Sequence, residues 1–181
     1  MQEISLNILD IAQNSISAGA NLIEISVEEK SAEDTLTVTI KDNGKGMSPE
    51  QLKAVTDPFY TTRTTRKVGL GVPFFKMSAE MSGGSFEIVS ELGVGTKVCG
   101  IFGLSNIDRM PLGDVNGTVS ALIYCNPSLD FVFRRSRDEK SFIFDTRSAR
   151  NLLGEVPLNV NEVTVFIKEF LSEGEKEISE V

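Results

Sequence analysis

The sequence predicts an α/β fold, and three observations carry that expectation. The chain opens on an apolar run with helical spacing, Ile4-Ser5-Leu6-Asn7-Ile8-Leu9-Asp10-Ile11-Ala12-Gln13-Asn14-Ser15-Ile16. Two segments of strict apolar/polar alternation follow, and a second helical stretch bounded by glycines precedes a return to alternation. With 181 residues, 40% hydrophobic and 24% charged, the chain has the size and composition of one core-forming domain, with or without an extension.

The first helix is expected from Ile4 to Ser17, stopped at Ala18-Gly19-Ala20 where glycine can take the left-handed conformation. Leu22 to Glu28 and Leu36 to Asp42 alternate as half-buried strands do and form an antiparallel hairpin turning at Glu33-Asp34. Ser48-Pro49-Glu50-Gln51 supplies a cap and a first-turn proline for a short helix through Leu52 to Val55, ended by Asp57-Pro58. The polar, basic stretch Thr61 to Lys67 reads as a loop leading to Gly69-Leu70-Gly71. A helix starts near Val72 or Pro73, with Val72, Phe75, Met77 and Met81 as its apolar stripe, and Gly83-Gly84 ends it. Strands are expected at Ser85 to Ser90 and Thr96 to Phe102, then at Thr118 to Cys125, Phe131 to Arg134 and Ser141 to Phe144. Val163, Phe166, Ile167, Phe170 and Leu171 define an amphipathic C-terminal helix. Arg134, Arg135, Arg137 and Lys140 read as the charged tip of a hairpin.

A net charge of -8 argues against a nucleic-acid partner, whose phosphates are held by clustered Lys and Arg. Histidine is absent, which removes the commonest general base near neutral pH, the commonest metal ligand and any phosphohistidine on this chain. Carboxylates are left to do the chemistry. The start Met1-Gln2-Glu3 lacks a secretory signal's basic region, and apolar stretches such as Val98 to Leu104 are too short to span a bilayer, so the expectation is a cytoplasmic protein without membrane insertion. Cys99 and Cys125, in apolar runs without a pairing motif, read as buried free thiols.

Asp10 and Asn14, four residues apart on a helix, converge on one point that can hold a metal ion and a polarised oxygen. Asp42-Asn43-Gly44-Lys45-Gly46-Met47 places a strand-ending carboxylate before two residues without Cβ, which lets backbone approach a flat ligand such as a nucleotide. Gly69-Leu70-Gly71-Val72 and Gly93-Val94-Gly95-Thr96 complete an ordered set of four signals. Each is weak alone. Together they resemble the GHKL superfamily of ATP-binding domains, the gyrase B, heat-shock chaperone, histidine kinase and mismatch-repair ATPases, over roughly residues 4 to 103.

The resemblance implies a two-layer α/β sandwich, a mixed sheet with helices on one face, with ATP between the helical layer and a lid. Residues 1–104 would form the ATP-binding domain, and residues 105–181 an α+β extension packed on or continuing its sheet. Leu9 to Ser15 followed by Ala18-Gly19-Ala20 looks like the N box, which makes Asn14 the Mg²⁺ ligand. Asp42 corresponds to the acceptor of the adenine amino group, Gly44 and Gly46 give the base room, and Met47 covers its edge. A buried acceptor matched to an exocyclic amine discriminates adenine from guanine. Asp57 to Arg63, with Phe59, Thr62 and Arg63, looks like the F box and lid of histidine kinases. Gly69, Leu70, Gly71 and Val72 match the second glycine box, whose backbone N–H groups cradle phosphates, and Thr96 matches the residue that reaches adenine through water.

Asp10 departs from the pattern. Histidine kinases commonly carry Asn four residues before the N-box Asn, and the hydrolytic ATPases and serine kinases of the superfamily carry Glu. A carboxylate there can accept a proton from a hydroxyl attacking the γ-phosphate. Asp is a methylene shorter than Glu, so it reaches the nucleophile through a water or serves Mg²⁺ instead. The chain begins at the N box, without a phosphoacceptor hairpin, so something else must receive the phosphate. Three functions stay open: γ-phosphate transfer to Ser/Thr of a partner protein or to water with Asp10 as base, a nucleotide-gated binding module, and the catalytic half of a split histidine kinase.

Overall fold

The computed structural model describes residues 3–56 and 71–180. In chain order the elements are α1 (Ile4–Ser17), β1 (Leu22–Lys30), a 3-10 turn (Ser31–Glu33), β2 (Thr35–Asp42), α2 (Pro49–Thr56), α3 (Gly71–Met81), β3 (Ser85–Glu91), β4 (Gly95–Gly103), α4 (Val115–Cys125), β5 (Asp130–Arg137), β6 (Lys140–Asp145), α5 (Thr146–Leu153) and α6 (Asn161–Ser179). The strands form one six-stranded sheet in the order β3-β4-β2-β1-β5-β6. β1 and β5 run parallel, Leu22 opposite Asp130 through Glu29 opposite Arg137, and the other neighbours are antiparallel.

Strand alternation turns Ile23, Ile25 and Val27 of β1 and Leu36, Val38 and Ile40 of β2 onto one face of this mixed sheet. They share a core with Ile4, Ile8 and Ile11 of α1, Phe75 of α3, Val119 and Leu122 of α4, and Ile167 and Leu171 of α6. Each such side chain contributes about 1.5–3 kcal/mol by leaving water. The architecture is the α/β sandwich with a mixed sheet that the resemblance implies.

No side chain caps the start of α1. Its free amides at Ile4 and Ser5 instead donate to the carbonyl oxygens of Pro111 and Leu112, both at 2.9 Å, so the segment after β4 returns to the helix that carries Asp10 and Asn14. At the other end, Gly19 takes a φ of 77° as the helix stops.

Several expectations need correction. Thr118 to Cys125 lies in helix α4, not in a strand. Its β-branched residues suggest a strand, but Asp114 accepts a hydrogen bond from the Gly117 N–H as an N-cap, and burial falls on Val115, Val119, Leu122 and Ile123 at helical spacing. Helix α5, capped by Asp145, has no counterpart in the sequence reading. Met77 and Met81, placed in a buried stripe, are 49% and 61% exposed because α3 packs through Val72, Phe75 and Ala79. Phe166 of α6 is likewise exposed, the inner row being Val163, Ile167, Leu171, Gly174 and Ile178. Cys125 is exposed and Cys99 only partly buried. Arg135 sits inside the fold at 3% exposure, ion-paired with Glu29 of β1 and, at 3.2 Å, with Glu175 of α6.

Candidate functional site

The end of β2 and the C-terminal half of α1 enclose a cavity of about 240 Å³. Its walls are mostly apolar, with Ile11, Met47, Val55, Val72, Ile88 and Val98, and among the described residues its one carboxylate is Asp42. Pockets for whole drug-sized ligands run from roughly 300 to 1,000 Å³, so this one suits a single flat ring system with the rest of the ligand projecting outward.

Asp42 is 8% exposed and closes β2. Its Oδ1 accepts from the Gly44 N–H at 2.8 Å and its Oδ2 from the Ser15 hydroxyl at 2.6 Å. Both partners are neutral, and the two hydrogen bonds fix the orientation of the carboxylate. Each carboxylate oxygen has lone pairs to spare, and a ligand N–H donor is the natural complement. Ser15, adjacent to Asn14, is itself buried. Its part in the site is visible only in three dimensions, because 27 residues separate it from Asp42.

The glycine box is held on several sides. Lys45 N–H donates to Ala18 O at 3.0 Å, Gly93 N–H donates to Lys45 O at 2.8 Å, and Met47 N–H donates to the Ser90 hydroxyl at 2.9 Å. At Gly46, with φ of 65°, a Cβ would run into the Glu91 carbonyl, so glycine is required on both conformational and steric grounds. Ser90 Oγ also lies 2.8 Å from Thr96 Oγ1, and Thr96 lines the cavity opposite Asp42 in the β2–β4 register. The β3–β4 turn and the glycine box thus form one hydrogen-bonded rim.

Asn14 is exposed and lines the cavity. Asp10, half-buried one turn earlier, meets the first residue of α3, where a Cβ on Gly71 would collide with its carboxylate. That close approach joins Asp10 to the point where the second glycine box becomes the start of α3. Val72 lies buried in the cavity wall. Of the residues singled out in the sequence, Asn14, Asp42, Gly46, Met47, Val72 and Thr96 line the cavity, Gly44 is bonded to Asp42, and Asp10 and Gly71 meet each other without lining it. Phe59, Thr62, Arg63, Gly69 and Leu70, with the rest of the expected lid, lie outside the described residues. Ser15, Lys45 and Ser90 join the site without having been singled out in the sequence.

Among the described residues, no group of three or more His, Cys, Asp or Glu side chains could cage a metal ion. No helix among them is long and apolar enough to cross a membrane.

The model of the family described as "Histidine kinase-, DNA gyrase B-, and HSP90-like ATPase" matches residues 1–106. Sensor protein SrrB of Staphylococcus aureus (strain NCTC 8325 / PS 47) is 40% identical over 101 residues, covering 53% of this chain and 17% of that protein. The same protein of strain MRSA252 matches to the same extent. The chain thus spans a small part of the length of these relatives. Among solved structures, the N-terminal domain of a DNA repair protein aligns with a TM-score of 0.53 at 14% identity, covering 79% of this chain and 52% of that one, a likeness of fold.

Proposed function

The chain belongs to the histidine kinase-, DNA gyrase B- and HSP90-like ATPase family, and from that premise we propose that it binds ATP with Mg²⁺ and transfers the γ-phosphate to a hydroxyl, either water or a Ser/Thr of a partner protein. The observation that carries the nucleotide part of this reading is Asp42, a buried carboxylate with neutral partners at the floor of an apolar cavity sized for one ring system. An adenine amino group donates to it, and the apolar walls exclude water from the base.

Asn14 projects from the same helix and would hold the metal. The donor set fits a nucleotide-borne Mg²⁺, because that ion is usually bound through one or two side chains plus substrate phosphates and waters. When bound, the ion neutralises charge on the phosphate oxygens. Asp10 lies against the start of α3, and phosphates reaching out of the cavity toward that helix start would meet it. Its carboxylate takes the proton from the attacking hydroxyl as the new O–P bond forms, and the γ-phosphoryl group leaves ADP. Backbone N–H groups at the start of α3 meet the charge on the phosphates.

The test follows labelled γ-phosphate from Mg-ATP with the wild-type protein and Asp10→Asn, each with and without a lysate of the source cells. The expected result is acid-stable label on a protein, or free phosphate, reduced about a hundredfold or more in Asp10→Asn. ATP bound with its γ-phosphate untouched in both proteins would overturn the transfer step and leave a nucleotide-gated module. Unchanged ATP affinity and Mg²⁺ dependence in Asn14→Ala would remove Asn14 from the site.

A further inference from the structure

We infer that Lys45 is a base-reading residue, whose ammonium donates a hydrogen bond to a purine ring nitrogen beside the amino group that Asp42 receives. The inference rests on the nucleotide reading of the cavity. Lys45 lies between Gly44 and Gly46, three residues beyond Asp42, and lines the same cavity. Its backbone is pinned on both sides, its N–H by the Ala18 carbonyl at the end of α1 and its C=O by the Gly93 N–H of the β3–β4 turn. The side chain therefore springs from a fixed point, and among the described residues its ammonium forms no ion pair although the chain carries a net charge of -8.

Location along α1 selects the base rather than the phosphates as its target. Asp10, the residue against the helix start at Gly71, lies two turns before Ala18, to which Lys45 is bonded. The phosphate end and the Lys45 end of the site are thus at opposite ends of the helix segment, with Asn14 between them. The purine edge that carries the amino group presents that donor between two ring-nitrogen acceptors. Asp42 can receive the amine, but a carboxylate repels the lone pairs beside it, and Lys45 supplies the missing donor. Asp42 with Lys45 then reads an acceptor next to a donor, a pattern that guanine, with an oxygen in place of the amine, does not offer.

The test is a binding cycle with the full chain, using isothermal titration of ATP, 7-deaza-ATP, 1-deaza-ATP and adenosine against the wild type and Lys45→Met. The expected result is a loss of about tenfold for ATP and adenosine in Lys45→Met, and no further loss for the one deaza analogue that lacks the contacted nitrogen. An equal loss for ATP and both analogues, no loss at all, or a loss for ATP that vanishes with adenosine would overturn it, the last by moving the contact to phosphate. Lys45 is exposed, so the variant should keep the wild-type unfolding midpoint. If wild type binds ATP and Asp42→Asn weakens it while Lys45→Met does not, this inference alone fails. If wild type binds none of the four probes, the nucleotide reading fails with it.

Discussion

Asp42 and Arg135 are both charged side chains buried on strands of one sheet, yet they are compensated in opposite ways. Asp42 has two neutral donors and an open cavity in front of it. Arg135 has two carboxylates, Glu29 and Glu175, and its Nη1 donates to the Ser136 carbonyl at 2.9 Å. Removing a charge from water is expensive unless the site returns an opposite charge or hydrogen bonds. At Arg135 the protein closes the account internally, so that group ties β1, β5 and α6 together. At Asp42 no described residue forms an ion pair, and the proposed adenine amino group is the donor that would complete the site.

The comparison breaks most visibly at Arg135. Arg135→Met should cost about 2–3 kcal/mol in urea unfolding because it leaves the largely buried Glu29 with only the half-exposed Arg137 as counterion, with ATP affinity under native conditions changed less than about twofold. A stability loss under about 1 kcal/mol would mean that this network is not closed in solution. Asp42→Asn should show the reverse, with ATP affinity lowered roughly ten- to a hundredfold and the unfolding midpoint nearly unmoved. If instead it unfolds the protein while leaving the affinity intact, Asp42 is a structural charge like Arg135. Ser15→Ala should weaken ATP about three- to tenfold, and the double variant with Asp42→Asn should lose little more than Asp42→Asn alone. Full additivity would separate Ser15 from the orientation of Asp42.

The smallest effect concerns the charged turns at the two ends of β6. The Arg147 guanidinium, hydrogen-bonded to Asp145 and opposed by the cost of burial, holds that carboxyl below its usual 3.8. The Ser31 N–H and hydroxyl do the same for Asp138. A carboxyl with a lower pKa folded than unfolded stabilises the protein above the unfolded value and loses that contribution as pH falls through the folded one. The stability gap between wild type and Asp138→Asn should therefore be full near pH 7 and narrow below 3.8. A gap unchanged at about pH 3 in urea titrations would contradict the hydrogen bonds from Ser31.

Legibility followed the range of the interactions. The spans Ile4 to Ser17 and Leu36 to Asp42 could be read because their burial periods are local, 3.6 and 2. The glycine box was readable because Gly46 answers a backbone demand that sequence records directly. Helix α4 was missed because Thr118, Val119, Ile123 and Tyr124 favour strands intrinsically, and packing against α1 and α6 overrides that preference. The signal that could have found it is Asp114 three residues before Gly117, an N-cap ahead of helically spaced apolar residues. Arg135 was read as a solvated tip because its counterions Glu29 and Glu175 are brought to it only by the β1–β5 register and the docking of α6. Ser15 and Lys45 escaped notice for the same reason, since their partners lie on other elements.

The parallel pairing of β1 with β5 also sets an order of events. β1 sits inside the finished sheet, but its second neighbour is encoded roughly a hundred residues after it, so a growing chain holds the β2 side of β1 long before the other side is covered. Until β5 arrives, β1 is an open edge beside a nearly complete cavity, and such edges recruit strands from other chains. Glu29, opposite Arg137 in the β1–β5 register and ion-paired with both Arg137 and Arg135, then acts as a registration mark for the late strand: a slip of one residue would put Ser136 or Asp138 opposite that glutamate.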